Sequence, residues 1–254
     1  MELNNYIDHT NLKNTATLKD IEALCNEALK YHFASVCVYP YYVPLVSKLL
    51  KGSNVEVCTV IGFPMGMNTK ETKVFEAINA IESGATEIDM VINIGALKNK
   101  DYKYVKEEIE EIRDAIDGKV LKVIIETCLL TDDEIIKMTK ICNETFVNFI
   151  KTSTGFGKYG ARVEDVELIN EYKGDVLEIK ASGGIKDIDT AEAMIKAGAT
   201  RIGTSNGVKI MNPAISGEEH ECCDHNSEHE CCNHNHNNEH ECCHGKNDKC
   251  HKHK

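Results

Sequence analysis

The residues best suited to covalent chemistry lie in the run Asn148-Phe149-Ile150-Lys151-Thr152-Ser153-Thr154-Gly155. A lysine here closes a short apolar segment and is followed at once by hydroxyls and glycine. Such a segment sets its last residue at the rim of a packed core, where water is scarce and ammonium is disfavoured. An amine nucleophile must be neutral, and an ordinary lysine is only about one part in a thousand free amine near pH 7. A second run of the same shape, Leu177-Glu178-Ile179-Lys180-Ala181-Ser182-Gly183-Gly184, follows one strand–helix unit later. Two cationic lysines held close together depress each other, so the pair points to Schiff-base chemistry on a carbonyl.

Residues positioned in this way need a rigid frame. The chain has 254 residues, and its composition changes after Gly217. Residues 1–217 hold five cysteines and two histidines, enough chain for one domain with a large core. Residues 218–254 hold seven cysteines, nine histidines and almost no aliphatic side chains; this tail is expected to be disordered in the absence of a ligand. The net charge of −12 divides into −5 for the tail and −7 for the body. An acidic chain without a basic stripe argues against nucleic acid and anionic membrane as partners. The start, Met1-Glu2-Leu3-Asn4-Asn5-Tyr6, lacks the regions of a signal peptide, and no apolar stretch approaches the roughly 20 residues of a membrane span. The expected location is cytoplasmic, with reduced cysteines.

Within the body, helical and strand periodicities alternate. Leu18, Ile21, Leu24, Cys25, Ala28 and Leu29 form one helical stripe, and Val105, Ile109, Ile112 and Ile116 another. Thr131 and Glu134 form a capping box for a helix running through Cys142. Short runs at 34–38, 55–61, 88–92, 120–125, 147–150 and 176–179 suit buried parallel strands. Brief strands at 6–8 and 201–203 bring the number to eight. Eight strand–helix units in about 215 residues predict an α/β fold, a (β/α)8 TIM barrel. A doubly wound sheet is the alternative, but the glycine-rich turn expected after its first strand is missing.

Barrel active sites lie at the carboxyl ends of the strands. Those ends carry Asp8, Cys37, Asp89, Glu126, Lys151 and Lys180, with glycine turns after Lys180 and Ile202. Taken singly, each has a plainer reading. A lysine can pair with a carboxylate, Asp8 can cap a turn near Thr10, and Cys37 can be a small buried hydrophobe. Glu126 is expected only to pair with a lysine, and His9 and His32 to have structural roles. Gly183-Gly184 and Gly203-Thr204-Ser205 would let backbone N–H groups approach a phosphate after the last two strands.

From Tyr6 to about Met211 the body resembles class I deoxyribose-phosphate aldolase. The resemblance rests on Ile7-Asp8-His9-Thr10, Ser35-Val36-Cys37-Val38, Val60-Ile61-Gly62-Phe63-Pro64, Glu87-Ile88-Asp89-Met90-Val91, Lys151-Thr152-Ser153-Thr154-Gly155, Lys180-Ala181-Ser182-Gly183-Gly184 and Gly203-Thr204-Ser205. It implies that Lys151 forms the Schiff base with a small phosphorylated sugar, while Lys180 lowers its proton affinity and joins Asp89 in moving protons. It also implies that Asp8, Cys37, Thr154, Gly155, Gly183, Gly184, Gly203 and Ser205 stand near the substrate, that catalysis needs no metal, and that the protein is a homodimer. Phe156 and Lys158 replace the lysine that some members carry directly after the glycine. Asn206 stands where a second serine is common.

Such aldolases do not ordinarily carry the tail seen here. It repeats Glu-His-Glu-Cys-Cys at 219–223, 228–232 and 239–243. Cys222, Cys223, His225, Cys231, Cys232, His234, Cys242, Cys243 and His244 offer thiolate and imidazole ligands suited to zinc, copper(I) or nickel. Adjacent cysteines fit one tetrahedral ion poorly, so loose multi-site binding is expected. A chiefly metal-buffering protein with an idle barrel is the rival reading. Retention of Lys151, Lys180 and Asp89 together argues against it.

Overall fold

Runs of β-branched residues too short for helices become strands, and the amphipathic stretches between them become the helices that cover those strands. A computed structural model describes residues 2–212. The strands are β1 (Ile7–Asn11), β2 (Ser35–Val38), β3 (Glu56–Ile61), β4 (Glu87–Val91), β5 (Val120–Ile124), β6 (Phe149–Lys151), β7 (Glu178–Ser182) and β8 (Arg201–Thr204). All are parallel, each pairs with the next, and β8 pairs with β1 to close the barrel. The predicted TIM barrel is the observed fold. The tail, with the expected metal ligands, lies outside the described residues.

The strand–helix rhythm is regular. Helix α1 (Leu18–Tyr31) follows β1, α2 (Val43–Leu49) follows β2, and α3 (Lys70–Glu82) follows β3. After β4 come α4 (Ile94–Lys98) and α5 (Tyr102–Ala115), then α6 (Asp132–Glu144), α7 (Val163–Tyr172), α8 (Ile188–Ala197) and α9 (Gly207–Met211) behind β5 to β8. Thr17 and Asp20 cap α1 reciprocally, and Thr131 and Glu134 do the same for α6. Each box satisfies two N–H groups that the helix leaves without partners. Ile21, Leu24, Cys25 and Ala28 are buried on the inner face of α1, whereas Leu18 at its first turn is exposed.

β1 is longer than the three residues expected. Its polar second half, Thr10-Asn11, pairs with Cys37-Val38 of β2, so the backbone ladder continues where the apolar pattern stops. A second difference concerns the inside of the barrel. Side chains on a strand alternate faces, and the outward set, including Ile88, Met90, Leu121, Val123, Ile150, Ile179 and Ile202, packs under the helices. The inward set is not the aliphatic filling usual in such barrels. It contains Asp8, Glu87, Asp89, Lys122, Lys151, Lys180 and Arg201, all but Arg201 buried.

Candidate active site

Strand register brings these charges together. Asp89 on β4 lies opposite Lys122 on β5, Lys151 on β6 opposite Lys180 on β7, and Lys180 opposite Arg201 on β8. Lys151 Nζ donates to Asp89 Oδ2 at 2.7 Å, and Lys180 Nζ donates to the same oxygen at 2.8 Å. The other oxygen, Oδ1, accepts from Lys122 Nζ at 2.9 Å. Lys180 also pairs with Asp8 at 2.5 Å, and Asp8 accepts from Arg201 Nη1 at 2.7 Å. Glu87 completes the cluster, 2.6 Å from Lys122 and 3.4 Å from Arg201.

Burial and charge oppose each other at every group. Burial alone would raise the carboxyls of Asp8 and Asp89. For Asp8 the cations Lys180, Arg201 and Lys122 overcome it, and for Asp89 Lys122, Lys151 and Lys180 do, so both lie below the ordinary carboxylate range. Burial would lower Lys180, yet Asp8 and Asp89 outweigh it and push Lys180 above an ordinary lysine. The expectation that the two lysines depress each other therefore fails for Lys180. It is a firm ammonium, because two carboxylates face it.

The charge count around the cluster gives Lys151 a different position. Among the described residues, three interior carboxylates, Asp8, Glu87 and Asp89, face four cations, Lys122, Lys151, Lys180 and Arg201. One cation is in excess. Lys180 and Lys122 each contact two carboxylates within 3 Å, and Arg201 pairs with two as well. Lys151 pairs with Asp89 alone. Lys151 is thus the cation of the cluster with the fewest carboxylate contacts.

Above Lys151 opens a cavity of about 680 Å³. Lys151, Thr154, Gly155, Gly183, Gly184, Gly203 and Ser205 line it, as the sequence led one to expect. Asp8, Cys37, Asp89 and Lys180 stand beneath it, buried among the strands. Asp8 is neither a turn cap nor a wall residue; it holds Lys180 and Arg201. Gly203 belongs to β8 itself, and a Cβ there would come within 3.0 Å of Lys180 Cε and 2.9 Å of Ser182 Cβ. Its small size lets Lys180 cross the barrel. The turn after β7 has Gly183 and Gly184 at φ of 86° and 78°, a region that suits glycine and turns backbone toward the cavity.

Glu126 departs from expectation. Among the described residues no lysine pairs with it; its carboxylate accepts from the Thr154 backbone N–H at 3.2 Å and from the Thr154 hydroxyl. It thus fixes the loop after Lys151. His9 is buried against Phe33, 2.7 Å from Glu27, and stands at the wall of the cavity. His32 ends α1 in the left-handed region at φ 55°. Phe156 meets Phe63 edge-on at 5.5 Å, forming an aromatic side to the mouth. Lys122, Glu87 and Arg201 were not singled out from the sequence, although charged residues at alternate places in apolar strands mark an inward ionic row. Lys13 and Lys186 at the cavity were likewise missed; they lie in loops, where lysine is ordinary.

Fold and site together place the chain among the barrel enzymes that work at the carboxyl ends of their strands. A model of the DeoC/LacD family aldolases matches residues 3–212, and the chain belongs to that family. It is a lyase of the aldolase type. Over 212 residues it is 57% identical to a deoxyribose-phosphate aldolase of Clostridium tetani, covering 83% of this chain and 98% of that one. Among solved structures, a putative deoxyribose-phosphate aldolase from Coccidioides immitis is 42% identical, with a TM-score of 0.82 over 84% of this chain and 86% of that one. The deoxyribose phosphate aldolase of Aeropyrum pernix, described as having a unique tetrameric structure, is 32% identical, with a TM-score of 0.78 over 84% and 91%.

Proposed function

We propose that this aldolase reversibly cleaves 2-deoxy-D-ribose 5-phosphate to D-glyceraldehyde 3-phosphate and acetaldehyde through a Schiff base on Lys151. The observation that carries this reading is one carboxylate oxygen of Asp89 shared by two lysines below a glycine-rich cavity. The Lys151 amine adds to the C1 aldehyde and water leaves, giving a protonated imine. That iminium accepts the electron pair of the C2–C3 bond. As the bond breaks, the C3 hydroxyl loses its proton and C3 becomes the aldehyde of the three-carbon product. The enamine left on Lys151 is protonated at C2, and water releases acetaldehyde.

In this scheme Asp89 takes the proton from the C3 hydroxyl and returns one to C2, while Lys180 stays an ammonium. Lys180, held charged by Asp8 and Asp89, keeps a positive charge beside Lys151. At the far side of the cavity, Gly183, Gly184, Gly203 and Ser205 receive the phosphate, with Lys186 near enough to add charge. Catalysis in this account needs no metal or organic cofactor. We further propose a cytoplasmic homodimer whose residues 218–254 bind zinc, copper(I) or nickel separately from catalysis.

Turnover of 2-deoxyribose 5-phosphate, with both products quantified, tests the substrate. The reading expects a clear preference over ribose 5-phosphate and acetaldehyde as the preferred donor in synthesis. Equal use of both sugars, or a preferred donor other than acetaldehyde, would contradict it. Deleting residues 218–254 is expected to leave turnover intact and lower the metal stoichiometry.

A further inference from the structure

Two interior thiols have no part in this chemistry. Cys37 on β2 and Cys58 on β3 are directly opposed across the strand pair, both fully buried. Cys58 Sγ donates to Asp89 Oδ1 at 3.2 Å and accepts from Lys122 Nζ at 3.3 Å. The two sulfurs and an Asp89 oxygen lie within 4.8 Å of one another. A tetrahedral zinc-like ion holds sulfur at about 2.3 Å and oxygen at about 2.0–2.2 Å, which sets ligand atoms roughly 3.5–4 Å apart. The three atoms therefore need only small rotations to share one ion.

We propose that Cys37, Cys58 and Asp89 form a binding site for a thiophilic divalent cation of the zinc class, and that its occupancy stops turnover. The surrounding lysines do not forbid the ion. Two thiols and a carboxylate carry one negative charge; a divalent ion bound after both thiols lose their protons leaves the same charge. Lys122 and Lys180 thus meet the same total charge before and after binding. The ion would take Asp89 Oδ1, the oxygen beside Cys58, in place of Lys122 Nζ, and would draw electron density from the carboxylate whose Oδ2 serves Lys151 and Lys180, so that Asp89 becomes a poorer proton acceptor. The inhibition rests on the proposed role of Asp89 in proton transfer. The site itself does not.

Thiolate ligands set the selectivity: zinc and cadmium bind, while magnesium, which demands oxygen ligands, does not. The inhibition test is turnover by the full chain in zinc buffered with a chelator, so that uptake by other ligands cannot change the free ion. Cys58→Ala removes one of three ligands and should raise the free zinc giving half-inhibition by about tenfold or more. Equal half-inhibition of wild type and variant would overturn the proposal, as would equal inhibition by magnesium. A wild-type check that needs no folded variant is anomalous diffraction from crystals grown with cadmium. A peak bonded to both sulfurs and Asp89 supports the site, and its absence there overturns it. A loaded site with undiminished turnover would overturn the inhibition, and with it the assignment of proton transfer to Asp89, while the site itself would stand.

Discussion

Lys151 and Lys180 donate to one and the same oxygen of Asp89, at 2.7 and 2.8 Å, from neighbouring strands. The sharing makes the two lysines unequal. Lys180 has Asp8 as a second carboxylate and keeps its proton, whereas Lys151 has Asp89 alone and opens onto the cavity. The two lysines are thus distinguished by their counter-ions, though both close similar sequence runs.

The placement of Lys180 depends on a missing side chain. Gly203→Ala sets a methyl 2.9 Å from Ser182 Cβ and 3.0 Å from Lys180 Cε, too close for both to stay where they are. Its backbone conformation is open to alanine, so the fold should survive while Lys180 moves. A shift of about 1 Å in a catalytic group can cost on the order of a hundredfold. We expect kcat to fall tenfold to a hundredfold, roughly, with a small change in unfolding midpoint. Unchanged kcat would separate Lys180 from the chemistry.

Outside the barrel interior, Lys73 on α3 and Glu108 on α5 form a fully buried pair at 2.7 Å. Lys73 also donates to the Val91 carbonyl, and Glu108 accepts from the Asn93 N–H at 3.0 Å. Burial pushes Lys73 down and Glu108 up, which marks how poorly either would be tolerated alone. Glu108→Ala is expected to destabilise by about 3–5 kcal/mol, since it leaves a buried ammonium uncompensated. Denaturant unfolding checks this; a loss below about 1 kcal/mol would contradict it.

His9 gives stability a dependence on pH. Burial disfavours its charged form and outweighs the Glu27 carboxylate, so its pKa lies below the ordinary 6.5. The unfolded chain then takes up the proton first. The contribution of His9 is complete above about pH 6.5 and is lost as pH falls below that value. The unfolding midpoint should drop between about pH 6.5 and 5.5, and His9→Phe should flatten the slope. A midpoint rising over that interval in wild type, with the slope removed in the variant, would reverse the sign argued here.

The barrel is legible because its periodicity is local: six apolar runs and two brief strands, alternating with helical stretches, are visible without any long-range contact. Lys151 was legible for the same reason, standing last in its run with hydroxyls and glycine behind it. Lys122 was hidden by that rule. It sits inside the run Val120–Ile124, and only the pairing of β5 with β4 shows that it faces Asp89. The charge of Lys180 was misread because its partner Asp8 is 172 positions away in sequence. Neighbouring lysines could be counted from the chain; the carboxylates that decide between them could not. Glu126 failed in the same manner, since its partner Thr154 comes from the loop after β6.

The proposed role of Lys151 as Schiff-base nucleophile is open to direct test. Incubation with acetaldehyde and borohydride, followed by peptide mass spectrometry, tests it on wild type and Lys151→Ala. A reduced two-carbon adduct is expected on the peptide containing Lys151 in the wild type, and none on that peptide in the variant. A folded wild-type protein that forms no adduct, or forms it on Lys180 instead, would contradict it.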